Sequence, residues 1–237
     1  MTRTLAVTGA KGGTGKTTTS VNLAAAFAAL GFRVELRDLD PQASATRALG
    51  QPPEADPGKA KPLPLRHALL PSGMLLLRPA GRSLIQVEQG KRAADDLVQP
   101  HWGWNADILV LDCPPALGAL TMSALAVADV ALVPLEATPL AFYGLKDLKE
   151  ALSELEKKPK LKAVLTRVQR RRNLTAEMRD QIEKEFSGVL AEAEIPEDVR
   201  AAEAPGEELP ITLHAPGAPS SRAYVELASE ITKALRL

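Results

Sequence analysis

Residues 9–18 read Gly9-Ala10-Lys11-Gly12-Gly13-Thr14-Gly15-Lys16-Thr17-Thr18, set between a short apolar run at 5–8 and an alanine-rich helical stretch at 17–30. A glycine-rich turn between a strand and a helix aims several backbone N–H groups and a helix N-terminus at one point. That geometry suits a polyphosphate and constrains the chain to a βα unit with a ligand at the strand's end. Lys16 is placed to reach the β and γ phosphates, and the Thr17 hydroxyl to ligate Mg²⁺. Gly12, Gly13, Thr14, Gly15 and Thr18 complete the cradle. The strict P-loop pattern has glycine where this chain has Ala10, and in its place a second lysine, Lys11, precedes two glycines.

Strand-length apolar runs alternate with helical patterns along most of the 237 residues, which predicts parallel βαβ units rather than a sandwich. Strands are expected at 5–8, 33–37, 74–77, 107–111, 130–133 and 161–166. Helices are expected at 17–30, 83–98, 117–127, 145–155 and 174–186. In the last of these Leu174, Met178, Ile182 and Phe186 recur every four residues and form one buried stripe. The expected fold class is α/β, a single P-loop NTPase domain over 1–237 with a mostly parallel twisted sheet and helices on both faces. Five prolines between 51 and 65 predict a loop inside that domain.

Two further segments end in carboxylates. Residues 108–112 form an apolar run closing on Asp112, the arrangement that sets an acid beside a P-loop magnesium. Asp38-Leu39-Asp40-Pro41-Gln42 puts two acids at the end of the second strand, where open parallel sheets bind ligands. One of these two can orient an attacking water; the alternatives are that Asp38 faces solvent and that Asp40 only opens a turn before Pro41.

Taken together, residues 11–18, 38–46 and 112–115 resemble the K-G-G-x-G-K-T-T, D-x-D-P-Q-x-x-A-T and D-x-P-P motifs of the ParA/MinD family of deviant-Walker-A ATPases. The likeness is strongest to its ParA/Soj partition ATPases. It continues through Val133-Pro134, Gly144-Leu145, Ile195-Pro196-Glu197-Asp198-Val199-Arg200, Glu203-Ala204-Pro205 and the closing helix with Ala223-Tyr224, leaving out only 51–99. The resemblance implies an ATP- and Mg²⁺-dependent homodimer in which Lys11 reaches the partner subunit's phosphates, similar in role to an arginine finger. It also implies that Asp40 positions water and, with Thr17 and Asp112, stands at the metal, and that Pro196 lines the nucleotide. Non-specific binding to double-stranded DNA, stimulation by a ParB-like centromere-binding protein and a cytoplasmic, nucleoid-associated location follow from the same resemblance. Where the family has Asn-Gln before the signature lysine this chain has Gly9-Ala10, and Glu197 replaces the first arginine of I-P-R-N-V-R.

Twenty-nine basic and twenty-nine acidic residues leave no net charge, so any attraction to nucleic acid must be local. Residues 157–172 carry eight bases and no acid, whereas 177–208 carry eleven acids and three bases. Arg170, Arg171 and Arg172 fall where the resemblance places a DNA-binding arginine, and Arg200 matches the second arginine of the I-P-R-N-V-R stretch. The main alternative is a MinD-like membrane regulator, which needs a terminal amphipathic helix with a basic polar face. Here the stripe Tyr224, Leu227, Ile231 and Leu235 is accompanied by Glu226 and Glu230, so packing on the domain is expected instead, with no membrane contact. No apolar stretch has the length of a membrane span, and the start of the chain lacks a signal-peptide core. A lone Cys113 cannot supply an intrachain disulfide, and one cysteine per subunit is short of an interfacial iron–sulfur cluster.

Overall fold

The computed structural model describes residues 1–9, 11–53, 63–64, 74–81, 83–90, 93, 95–98, 105–169 and 173–237. Its strands are β1 (Arg3–Val7), β2 (Arg33–Asp38), β3 (Leu63–Pro64), β4 (Met74–Arg78), β5 (Ile108–Asp112), β6 (Val130–Glu136) and β7 (Lys160–Thr166). They form one sheet in the order β3-β4-β2-β5-β1-β6-β7, parallel throughout except for the two-residue edge strand β3. Strand β1 is interior, between β5 and β6, and its Leu5, Ala6 and Val7 are accordingly wholly buried, as in a strand covered on both faces.

The helices are α1 (Lys16–Ala29), α2 (Ser44–Ala48), α3 (Ser83–Glu88), α4 (Asp95–Val98), α5 (Ala119–Val127), α6 (Pro139–Ser153), α7 (Asn173–Glu185), α8 (Val199–Glu203), α9 (Ile211–His214) and α10 (Pro219–Leu235). One core lies between the sheet and α1 with α10, where Ala24, Ala25 and Ala28 let the helix backbones approach Leu227 and Ile231. A second lies under α5, α6 and α7, and includes Phe142, Leu145, Ile182 and Phe186. The mostly parallel α/β sheet with helices on both faces is the fold class expected from the alternating runs.

Three expectations need correction. The stretch 83–98 is not one helix: Gly90 takes φ +69°, a conformation that suits glycine, and α3 ends before it, with α4 a separate short turn. Leu63–Pro64, inside the proline-rich stretch expected to be loop, pairs antiparallel with Leu76 and Leu77, an edge position that tolerates proline; residues 54–62 and 65 lie outside the described residues. The helix expected at 145–155 starts earlier, at Pro139, because Thr138 caps it and proline is favoured at a first helical position.

The outer edge of β7 is covered. Ala163, Leu165 and Val168 exchange backbone hydrogen bonds with residues 189–197, and the last of these residues carry Pro196 to the mouth of the site. Among the described residues no helix is long and apolar enough to cross a membrane.

Candidate nucleotide site

Strands β1, β5 and β2 end together: Val7 is in register with Asp112, and Asp112 with Asp38. The turn leaving β1 takes φ +80° at Gly13 and +89° at Gly15, values that side-chain-bearing residues rarely adopt. Gly15 therefore caps α1 without offering a side chain, and the first-turn N–H groups of α1 point to where an anion binds. Ala10 lies outside the described residues.

Lys16 is buried at the start of α1, and its Nζ donates to the Lys11 carbonyl at 2.7 Å. Burial lowers its pKa, while the negative charges of Asp112 and Asp40 act to raise it. Lys11 is exposed in the turn, and its ammonium makes no ion pair among the described residues. Gly12 and Gly13 are exposed beside it, and Thr14 is buried with its carbonyl accepting from Thr166 Oγ1 at 3.2 Å. The Thr166 hydroxyl also lies 3.3 Å from the Leu135 carbonyl, so it fastens the turn to the ends of β6 and β7.

Asp112 is fully buried and accepts hydrogen bonds from Thr17 Oγ1 at 2.9 Å and Ser20 Oγ at 2.7 Å. Burial, and then the neighbouring Asp38, push its pKa up to about 8. Asp38 does not face solvent. It is buried, with its pKa pushed by burial up to about 6, and it accepts from Thr46 N at 2.8 Å, Thr46 Oγ1 at 2.7 Å and Asp40 N at 3.1 Å. It is a strut that fixes the loop carrying Asp40. Asp40 itself is partly exposed; it does open a turn at Pro41, its Oδ1 accepting from Gln42 N at 2.8 Å, and Oδ2 accepts nothing among the described residues. Burial and the Asp112 charge push the Cys113 thiol far up, so it is a core residue with no thiolate chemistry.

A cavity of about 600 Å³ opens beside the glycine turn, lined among others by Gly15, Thr18, Thr166, Pro196 and Tyr224. A second, of about 350 Å³, lies beyond Thr18 between α1 and α2. The donor set fits a magnesium–nucleotide complex. Among the described residues no cluster of His, Cys, Asp or Glu can hold a metal alone. A cation held at Thr17 and Asp112 would take its remaining ligands from phosphate and water, the mode Mg²⁺ favours.

Of the residues expected at the site, Lys11, Lys16, Thr17, Asp40 and Asp112 gather at these strand ends, and Thr18 and Pro196 line the cavity. Arg200 stands on α8, exposed, with Nε 2.9 Å and Nη2 3.2 Å from the two carboxylate oxygens of Asp198. Arg170, Arg171 and Arg172 lie outside the described residues. Within the basic run, Lys157 pairs with Asp129 and Arg167 with Glu136, so its charge is partly neutralised locally. Sequence reasoning missed Ser20, Thr46 and Thr166. Ser20 was legible in part, since it lies three residues beyond Thr17 on the same helical face; Thr46 closes the 38–46 motif, though its bond to Asp38 was not legible there, and Thr166 reaches the site only through the fold.

A family described as the CobQ/CobB/MinD/ParA nucleotide binding domain matches residues 5–211. The chain is 36% identical to the chromosome-partitioning ATPase Soj of Thermus thermophilus, over 97% of this chain and 95% of that protein. It is 31% identical to the chromosome partitioning protein ParA of Caulobacter vibrioides, over 97% and 93%. Among solved structures, cobyrinic acid a,c-diamide synthase from Mycobacterium smegmatis with bound ADP and magnesium superposes with TM-score 0.78 at 27% identity, covering 100% of this chain and 96% of that one. The septum site-determining protein MinD of Pyrococcus horikoshii with Mg-ADP shares the fold at TM-score 0.78 and 23% identity, covering 98% and 97%. With the two-lysine turn, Thr17 and Asp112 already in place, these likenesses mean that the chain belongs to the CobQ/CobB/MinD/ParA nucleotide-binding family.

Proposed function

We propose that this P-loop ATPase of the ParA/MinD family works as a DNA-partition ATPase, dimerising on ATP, binding double-stranded DNA without sequence preference and hydrolysing ATP when a ParB-like centromere-binding partner stimulates it. ATP is its nucleotide and Mg²⁺ its metal. The observation that carries the reading is the pairing of a buried Lys16 with an exposed, unpaired Lys11 in one glycine turn, beside Thr17 and Asp112. Lys16 is aimed into its own cradle. Lys11 is exposed and makes no ion pair among the described residues, which leaves its charge available to a second subunit's phosphates.

The chain's own groups divide the work. The first-turn N–H groups of α1 and Lys16 hold the phosphates. Thr17 and Asp112, with Asp40 near them, would hold Mg²⁺, whose charge neutralises phosphate oxygens when it is bound. Asp40, on a loop fixed by Asp38 and Thr46, keeps Oδ2 open to orient a water. Pro196 and Tyr224 shape the cavity for the rest of the nucleotide. Lys11 from the partner adds positive charge where it develops in the transition state.

The partition reading is supported over a MinD-like membrane role by α10. Its apolar stripe, Tyr224, Leu227, Ile231 and Leu235, is buried in the core with α1. Its Glu230 carboxylate accepts from the backbone N–H groups of Glu192 and Ala193. A helix whose apolar stripe is already buried in the core has no apolar face to give to lipid. The test is a DNA-binding assay with ADP, ATP and a slowly hydrolysed analogue, run beside liposome sedimentation. ATP-dependent binding to unrelated DNA sequences with no liposome binding is expected; sedimentation with liposomes and no DNA binding would replace this reading by the membrane one.

A further inference from the structure

The start of α5 is capped from outside. Its N-cap residue, Gly118, has no side chain to offer, and the Leu120 N–H donates instead to Glu88 Oε1 at 3.1 Å, from the last residue of α3. A Cβ at residue 118 would run into that carboxylate, so glycine is what lets Glu88 approach. The negative charge also meets the positive end of a nine-residue helix.

What this cap holds matters because α5 begins directly after the segment 113–118 that leaves Asp112. The other end of the same support reaches α2, the helix that follows the Asp40 loop. Ala80, just past β4, donates its N–H to Thr46 Oγ1 at 2.9 Å, and Thr46 in turn holds Asp38. Between the two ends, Leu84 and Val87 of α3 are buried with Leu120 of α5 and Ala43 of the Asp40 loop. Ala80 and Glu88 thus bond to the first turns of the two helices that follow the loops flanking the phosphate site, one through a backbone N–H and the other through a carboxylate.

We propose that Glu88 is a positioning residue for hydrolysis: by capping α5 across the Gly118 gap it holds the 113–118 segment, and with it the surroundings of Asp112, in register with the Asp40 loop. The role rests on the ATPase reading above. Glu88 touches neither cradle nor cavity, so it should affect turnover and not nucleotide affinity.

The experiment compares Glu88→Ala, Glu88→Gln, Gly118→Ala and the Glu88→Ala/Gly118→Ala double variant, as full chains with ATP and Mg²⁺. Steady-state hydrolysis, nucleotide affinity and hydrogen exchange of the Leu120 amide are measured on each. Glu88→Ala is expected to lower turnover by about two- to thirtyfold, the range a lost helix cap spans, with affinity within about twofold. Glu88→Gln keeps an acceptor and should restore most of the turnover. Gly118→Ala displaces the carboxylate without altering it and should reproduce the loss, with the Leu120 amide exchanging faster, and the double variant should be no worse than either single one. Unchanged turnover in Glu88→Ala, or additive losses in the double variant, would overturn the positioning role while the wild type still hydrolyses ATP. A wild type without turnover would overturn the ATPase reading itself and this role with it. Should Glu88→Ala fail to fold, Gly118→Ala and Glu88→Gln decide between the same outcomes.

Discussion

Lys16 keeps a charge in a place that opposes it, buried at the head of α1 and held against the Lys11 carbonyl. Its replacement is therefore the most direct test of the phosphate site. Lys16→Ala should remove ATP-dependent dimerisation, and light scattering with ATP should report monomer; a stable ATP dimer of that variant would contradict the assignment of the cradle. Asp40 differs in kind, because its carboxylate is partly exposed on a braced loop and is assigned to water. Asp40→Ala should keep ATP binding and accumulate trapped dimer with hydrolysis reduced by more than about tenfold, roughly 1.4 kcal/mol of barrier. Lys11 acts across the dimer in this reading, so mixing Lys11→Ala with Asp40→Ala subunits leaves one composite site with both groups intact. Activity should reappear in the heterodimer, and its absence in mixtures confirmed to form heterodimers would argue against action in trans.

At the level of elements, the ends of β2 and β5 set two buried carboxylates side by side, and each is supported by hydroxyls from a neighbouring helix. Thr46 of α2 is the clearest support, since one hydroxyl donates to Asp38 and accepts from Ala80 N–H. Thr46→Val keeps the shape and leaves a buried donor and a buried acceptor short of partners, which should cost about 1–3 kcal/mol in urea denaturation. A change below about 0.5 kcal/mol would mean the loop is held by other contacts. The pH dependence has a definite sign. Asp112 is raised to about 8 and Asp38 to about 6, so between the ordinary carboxylate range and those values the folded, nucleotide-free chain binds more protons than the unfolded one. Stability then falls as pH rises through that window. Asp112→Asn should flatten the fall between pH 5 and pH 8, and an equally steep fall in that variant would assign the dependence to other groups.

For the whole molecule, the proposed partition role, set against neutrality overall and polarity in patches, leaves DNA binding to local cations doubled by dimerisation. Arg171→Ala should weaken binding equally on unrelated sequences and flatten the slope of log K against log salt by about 0.9 per lost phosphate contact. Arg200 is engaged by Asp198, whose carboxylate also caps α8 and accepts from Ser220 Oγ at 2.8 Å. Asp198→Asn retains a good cap and removes the competing charge, so it should strengthen DNA binding and steepen the salt slope, an effect absent when Arg200 is also replaced. The local motifs were legible in the sequence because their chemistry is contiguous: a turn, a lysine, a threonine and a helix follow one another within ten residues, and strand-length apolar runs alternate with helical ones. The parallel α/β class and the turn carrying Lys11, Lys16 and Thr17 followed from that, while Asp40 and Asp112 were marked by carboxylates closing two other strand-length runs. The break of 83–98 into two helices, the pairing of Leu63–Pro64 at the sheet edge, the burial of Asp38, the reach of Thr166 to the glycine turn and the contact of Glu88 with the start of α5 were not legible. Each depends on which distant segments the sheet order brings together, and burial and hydrogen-bond partners are properties of that juxtaposition, which no window of sequence contains.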